Sequence, residues 1–292
     1  MSQPLAERCA IVTGASRGLG FEIAKSYLAA GANLMICARD ARLLDQAFRE
    51  LQRLTPEGQL VIALPADVSQ VRDVTALVDR ALAEFGRVDV VVNNAGVAGP
   101  IGALEDLDWT QWMRTIEINL MGAVWLSRAV LPHFKRAGRG KIIQLSGGGA
   151  TKPMPRLSAY AASKAAVVRF VETLAEEVRP WGIDVNAMAP GTLDTRMLDE
   201  ILSAGPEALG SALYEQMLQQ KRSGGAPLSR AVELALFLGG SSSDGISGKL
   251  ISALWDPWEE LPAHIEQLRA SDVYTLRRIT AADRDLSWEK RR

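Results

Sequence analysis

The residues best placed to do chemistry lie in one stretch, Ser158-Ala159-Tyr160-Ala161-Ala162-Ser163-Lys164. Read as helix, Tyr160 and Lys164 are four residues apart, on one face and about one turn from each other. A free tyrosine is a poor acid or base near neutrality, because its pKa is about 10. A neighbouring ammonium favours the phenolate and lowers that value. Tyr160 with Lys164 is therefore a candidate proton-transfer pair. The same spacing also arises on ordinary surface helices, so a second functional element must support it.

That element is Thr13-Gly14-Ala15-Ser16-Arg17-Gly18-Leu19-Gly20. It follows the apolar run 8–12 and precedes a helix-periodic run at 21–28. A strand, a glycine-rich turn and a helix form the context in which such a turn binds a dinucleotide. Gly14 turns tightly, Gly18 lets backbone approach a pyrophosphate, and Gly20 lets helix pack on strand. Free N–H groups at the helix start, across Ser16 to Leu19, then face phosphate. A second strand at 33–38 ends in Ala38 with no acid to hold a ribose 2′-hydroxyl. Arg39 follows it instead. Arg17 and Arg39 together can bracket a 2′-phosphate, for which the planar guanidinium is suited. NADP(H) is thus favoured over NAD.

The elements that position these residues alternate along the chain. Helix-periodic runs at 42–54 and 71–85 separate strands at 59–64 and 88–92. Asp67-Val68 follows the first of these strands, within reach of an adenine amino group. Asn93-Asn94-Ala95-Gly96 ends the second, where small residues let a ligand approach. A long helix is predicted over 108–136, with Asn119 in its middle, where asparagine is unfavourable unless its side chain is used. A strand at 141–145 ends at Ser146-Gly147-Gly148-Gly149, before the Tyr160 helix. A strand at 183–188 leads to Pro190-Gly191-Thr192-Leu193-Asp194-Thr195. A helix at 228–238 and a strand at 249–253 complete the pattern. Alternation of this kind predicts an α/β fold: one doubly wound parallel sheet of Rossmann type with helices on both faces. The marked residues all sit at carboxyl ends of strands, where such sheets bind ligands.

These motifs, in this order, resemble those of the short-chain dehydrogenase/reductase family, in the branch with T-G-x-x-x-G-x-G and Y-x-x-x-K. The resemblance covers about residues 6–254. It implies that Tyr160 is the general acid/base, and that Lys164 lowers its pKa and binds nicotinamide ribose. It implies that Asn119 holds a water linking Lys164 to solvent, and that Thr195 meets the nicotinamide carboxamide. Pro190, Gly191, Asn94, Ala95, Gly96, Asp67 and Val68 would complete the cofactor site. One departure stands out. The family carries a serine after the fifth strand that holds the substrate oxygen. Counted back from Tyr160, that place falls on Gly147, one residue after Ser146. Either the glycine loop lets Ser146 swing into place, or the site lacks this donor. The family also pairs the Asn119 and Tyr160 helices across subunits, which implies a homodimer or homotetramer through Val124, Ala129, Ala166, Val167, Phe170 and Leu174.

The division into domains is expected at 1–254, with a substrate lid at about 193–225, and a C-terminal extension at 255–292 that the family lacks. Trp255-Asp256-Pro257-Trp258 reads as a rigid turn whose two aromatics avoid water, followed by a helix at 259–270. Three of seven tryptophans lie beyond residue 254, too many for a disordered tail. The tail is expected to dock across the substrate cleft or on a neighbouring subunit, with its charged last ten residues fraying.

Composition bounds the partners. With 292 residues, 48% hydrophobic, 23% charged and a net charge of −1, the chain suits one large α/β domain. It gives no basis for binding nucleic acid or an anionic membrane. No apolar run is long enough to span a bilayer, and Met1-Ser2-Gln3-Pro4 lacks a signal pattern. Cys9 and Cys37 lie in strand-like runs and read as buried thiols of a cytoplasmic protein. Two histidines and no Cys/His cluster argue against a metal site. The reading is an NADP(H)-dependent oxidoreductase that interconverts a small-molecule carbonyl and a secondary alcohol. The alternatives are a sugar-nucleotide-modifying member of the family, or a cofactor-binding regulatory or structural subunit with impaired catalysis.

Overall fold

Short runs of β-branched and aliphatic residues become strands buried on both faces, as parallel sheets require. A computed structural model describes residues 3–286. Seven strands form one parallel sheet: β1 (Cys9–Thr13), β2 (Asn33–Ala38), β3 (Val61–Pro65), β4 (Val90–Asn93), β5 (Gly140–Leu145), β6 (Ile183–Ala189) and β7 (Leu250–Ser252). Their spatial order is β3-β2-β1-β4-β5-β6-β7. The order reverses between β1 and β4, which opens a crevice at their carboxyl ends.

The pleat divides each strand between two cores. Ala10 and Val12 face one side and Ile11 the other. The first core is covered by α1 (Gly18–Ala29), α2 (Ala41–Leu54) and α10 (Leu228–Gly239). The second is covered by α3 (Val71–Phe85), α5 (Gly122–Ala137) and α6 (Ser158–Val178). A third, smaller cluster lies above the sheet, where α7 (Arg196–Ser203), α8 (Gly205–Leu209) and α9 (Ser211–Arg222) gather around the start of α6. The segment read as a lid is thus three short helices. No helix among the described residues is long and apolar enough to cross a membrane.

Two elements differ from the sequence reading. The helix expected over 108–136 is α4 (Trp109–Ile116), capped by Asp108, then a π-helical turn (Glu117–Met121), then α5. The extra residue in that turn accommodates Asn119, whose side chain is bonded away from the helix. The helix expected at 259–270 is a 3₁₀ segment (Trp258–His264) followed by α11 (Ile265–Ala270). Pro262, which has no N–H to donate, sits inside the 3₁₀ part.

The tail docks on its own chain, along the free edge of β7 rather than across the cleft. The Leu250 N–H donates to the Tyr274 carbonyl at 2.8 Å. Buried Lys249 donates to the carbonyls of Ser271 (3.0 Å) and Val273 (2.9 Å). The Leu276 N–H donates to Glu172 of α6 at 2.6 Å. On the opposite face, Trp258 is buried against Phe237 of α10, with ring centroids 5.3 Å apart, beneath the Arg230 guanidinium. Trp255, expected to leave water, is 84% exposed. A tight turn, in which the Asp256 carboxylate accepts from the Ser252 N–H and Ser252 Oγ accepts from the Leu254 and Trp255 N–H groups, sends Trp258 inward and leaves Trp255 outside. Trp288 and the charged end 287–292 lie outside the described residues.

Candidate active site

The glycine turn is built for close approach. A Cβ on Gly14 would stand 2.9 Å from Ala95 Cα, and one on Gly20 would stand 2.5 Å from the Gly14 carbonyl oxygen. Gly14 and Gly18 have φ of +63° and +58°, which glycine alone adopts cheaply. Nothing lies within 4 Å of the Gly18 Cβ position, so that face is open. Arg17 occupies the N-cap of α1 without capping it, which leaves the first N–H groups free for an anion. Ser16 is half-buried beside them, and Leu19 is buried in the core. These features fit a dinucleotide pyrophosphate.

Asn94 performs a different task from the one expected. Its Nδ2 donates to the carbonyls of Thr13 (2.9 Å) and Gly14 (3.2 Å). Thr13 Oγ1 accepts from the N–H groups of Asn94 and Ala95, each at 3.0 Å. Asn94 therefore locks β4 to the glycine turn, and its amide is spent on backbone. Thr13 belongs to the site as the receiving half of that lock.

At the far end of the crevice, Arg17 and Arg39 are exposed, and neither joins an ion pair among the described residues. Arg39 shares a cleft of about 280 Å³ with Arg114 and Glu200. Asp67 accepts from Ser69 through one oxygen and pairs with Arg114 through the other. Burial pushes the Asp67 carboxyl up, but the Ser69 bonds and the Arg114 charge hold it below the ordinary aspartate value. Val68 is buried against the start of α5. Arg114 was invisible in the sequence, because it lies 47 positions from Asp67.

Nearer the centre, Asn119, Ser163, Lys164 and Tyr160 form one cluster. Asn119 Oδ1 accepts from Val97 N–H at 2.8 Å, and its Nδ2 donates to Val97 O (2.9 Å) and Ser163 Oγ (3.0 Å). Ser163 Oγ donates to the Tyr160 carbonyl at 2.7 Å. Lys164 Nζ donates to the Leu145 carbonyl at 2.8 Å and lies 5.7 Å from the Tyr160 ring centre. A Cβ on Gly96 would crowd Asn119 Oδ1 at 3.3 Å and touch Lys164 Nζ at 3.6 Å, so position 96 lies directly against this cluster. Burial lowers the Lys164 pKa to about 8 and raises that of Tyr160 to about 12. The sequence expectation was a lowered tyrosine. In the chain alone, the cost of burying a phenolate outweighs the ammonium 5.7 Å from the ring centre.

The question of Ser146 resolves just beyond the end of β5. Along β5, Gln144 reaches Ser127 of α5, while Ile143 and Leu145 enter the other core. The Ser146 N–H still donates to Met188 O on the neighbouring strand, at 2.8 Å. β5 ends at Leu145, and Gly147 lies beyond it, ahead of the turn that packs on α6. Position 147 is the one facing the tyrosine: a Cβ there would stand 2.6 Å from Tyr160 Oη. Ser146 is not brought to Tyr160. Its Oγ is buried without a hydrogen-bond partner among the described residues.

Pro190 and Gly191 follow β6. Gly191, at φ +86°, lies where a Cβ would strike Leu254 at 2.6 Å. Thr195 is the N-cap of α7, and its side chain makes no capping bond, so its hydroxyl is available. Tyr160 packs against the small apolar cluster that includes Leu157, Leu198, Ile201 and Met217.

A protein-family model described as short chain dehydrogenase matches residues 8–205. The chain is 31% identical over 256 residues to the 7alpha-hydroxysteroid dehydrogenase of Escherichia coli (strain K12), covering 87% of this chain and 95% of that protein. It is 36% identical over 198 residues to 11-beta-hydroxysteroid dehydrogenase A of Sesamum indicum, covering 67% of this chain and 55% of that protein. Among solved structures, levodione reductase is similar, with a TM-score of 0.77 and 26% identity over 89% of this chain and 99% of that one.

Proposed function

The chain belongs to the short-chain dehydrogenase family, and from that premise we propose that it is an NADP(H)-dependent oxidoreductase interconverting a carbonyl and a secondary alcohol, with Tyr160 as general acid/base. The observation that carries this reading is the joining of Asn119, Ser163, Tyr160 and Lys164 beside the glycine turn. When bound, a nicotinamide cofactor supplies or accepts the hydride. The chain does the rest. Tyr160 Oη passes the proton to or from the substrate oxygen. Lys164 stays close enough to stabilise the phenolate and to bind ribose. Asn119 holds the helix turn in register, and Thr195 offers its hydroxyl to the carboxamide. Arg17 and Arg39, neither in an ion pair among the described residues, support the 2′-phosphate form of the cofactor.

The apolar cluster against which Tyr160 packs supports an uncharged, apolar small-molecule substrate over a sugar nucleotide or polyol. Relatives named as hydroxysteroid dehydrogenases agree with that preference. Buried, unpaired Cys9 and Cys37 support a reducing, cytoplasmic setting. Gly147 favours one second reading, a cofactor-binding subunit with impaired catalysis. The intact Asn119, Tyr160 and Lys164 cluster weighs against it. The test is a screen of apolar ketones, sugars, polyols and acyl thioesters for NADPH consumption, with Tyr160→Phe as control. Turnover of an apolar ketone that vanishes in Tyr160→Phe is expected. Turnover that survives in that variant overturns the assignment of the acid, and NADPH binding without any turnover supports the second reading.

A further inference from the structure

The end of β5 brings no side-chain donor to the reacting oxygen. Residues 147–150 are Gly-Gly-Gly-Ala, and the Ser146 Oγ is buried without a hydrogen-bond partner among the described residues. Gly147 is nevertheless more than a missing serine. Its φ of −177° is ordinary extended backbone, so chain conformation does not demand glycine there. Space does. The place that a Cβ would take is held by the Tyr160 phenol, with Oη at 2.6 Å, Cζ at 3.5 Å and Cε1 at 3.7 Å. The three glycines differ sharply in this respect. A Cβ on Gly148 meets nothing within 4 Å, and one on Gly149 meets Ala161 backbone at 2.9 Å and Met154 sulfur at 3.1 Å. Gly149 thus lets the loop pack on α6, and Gly148 is free to vary.

We propose that Gly147 is a positioning residue: by carrying no side chain it lets the Tyr160 hydroxyl stand against the end of β5, and Tyr160 alone then grips the substrate oxygen. The tyrosine cannot yield to a side chain at 147 without moving its ring. That side chain packs against the cluster of Leu157, Leu198, Ile201 and Met217, and its own backbone carbonyl is tied to Ser163. A displaced hydroxyl no longer lies where the proton must be delivered, and a misplacement of about 1 Å can cost roughly a hundredfold in rate. This inference rests on the oxidoreductase reading, but one of its tests does not depend on activity.

The experiment compares Gly147→Ala, Gly147→Ser and Gly148→Ser in the full chain. It measures kcat and KM for an apolar ketone, NADPH affinity by calorimetry, and the position of Tyr160 in crystals of the parent and Gly147→Ala proteins. Both substitutions at 147 are expected to lower kcat about tenfold or more, with KM and NADPH affinity within about twofold, while Gly148→Ser stays near the parent. In Gly147→Ala crystals the phenol is expected to be displaced away from β5. A rise in kcat for Gly147→Ser overturns the proposal, because the site would then simply lack a donor worth roughly a hundredfold. Unchanged kcat in both variants also overturns it. Should no substrate turn over, the reading of function fails by itself, and an unmoved Tyr160 in Gly147→Ala crystals overturns the positioning role separately.

Discussion

Asn119 Nδ2 donates to Ser163 Oγ at 3.0 Å, which fastens the π-helical turn between α4 and α5 to the residue before Lys164. The bond spans two helices, and the same amide also closes both backbone groups of Val97. Asn119→Ala removes the partner of both half-buried backbone groups of Val97 and one of the two bonds of buried Ser163 Oγ, and a buried polar group left unpaired costs about 1–3 kcal/mol. The variant should lose about 2–4 kcal/mol in urea denaturation, with lost turnover, while Asn119→Asp should keep part of both. A stability unchanged within 0.5 kcal/mol, by that scale, would mean the amide is readily replaced by water.

The pH profile should report Lys164 before Tyr160. Lys164 falls from 10.5 to about 8 on folding, so the folded chain binds its proton less tightly. Its destabilising contribution is full below about pH 8 and fades as pH rises towards 10.5. Tyr160 is raised to about 12, so it favours the fold below pH 10 and loses that effect between 10 and 12. For ketone reduction, kcat/KM should therefore decline above about pH 8 as the ammonium is lost, while the phenol keeps its proton. A profile flat to pH 10 would show that the charge on Lys164 is not needed.

Cofactor preference should depend on two arginines. Arg39→Ala should weaken NADPH about 10- to 100-fold, as loss of charge-assisted bonds to a phosphate implies, and leave NADH nearly unchanged. Arg17→Ala should act in the same direction. Calorimetry on the parent decides the premise, since equal affinity for the two cofactors would remove it.

The two tryptophans of the tail should separate cleanly. Trp258→Ala removes a buried ring packed on Phe237 and should cost about 3–5 kcal/mol. Trp255→Ala removes an exposed ring and should change stability by less than about 0.5 kcal/mol. Deleting everything after Ala253 should lower the melting temperature by baring the β7 edge, with NADPH affinity preserved. Thermal melts of the three proteins check all of this.

Assembly as a dimer or tetramer through α5 and α6 remains our proposal, with a narrower surface than the sequence suggested. Val167 and Leu174 are buried within the chain's own core, which leaves Val124, Ala129, Ala166 and Phe170, each half-buried, to meet a partner. Such a contact is isologous. Light scattering should return two or four times 31.6 kDa, and Phe170→Asp should lower that mass. A monomer at micromolar concentration in the parent would refute it.

The sequence by itself determined what depends on local periodicity and spacing. Strand and helix follow each other from hydrophobic pattern, the turn at Gly14–Gly20 requires particular backbone freedom, and Tyr160 and Lys164 share a helix face because a turn is about 3.6 residues long. Tertiary structure decided whatever depends on which distant groups meet. Packing of α6 on the turn after β5 sets Gly147 against the Tyr160 hydroxyl. Packing of α4 beside Asp67 brings in Arg114. The turn at Ser252 and Asp256 chooses Trp258 over Trp255 for burial. Burial of Tyr160 and Lys164 sets the direction of both pKa shifts, because the cost of desolvating a charge comes from everything packed around it rather than from the neighbour four residues away.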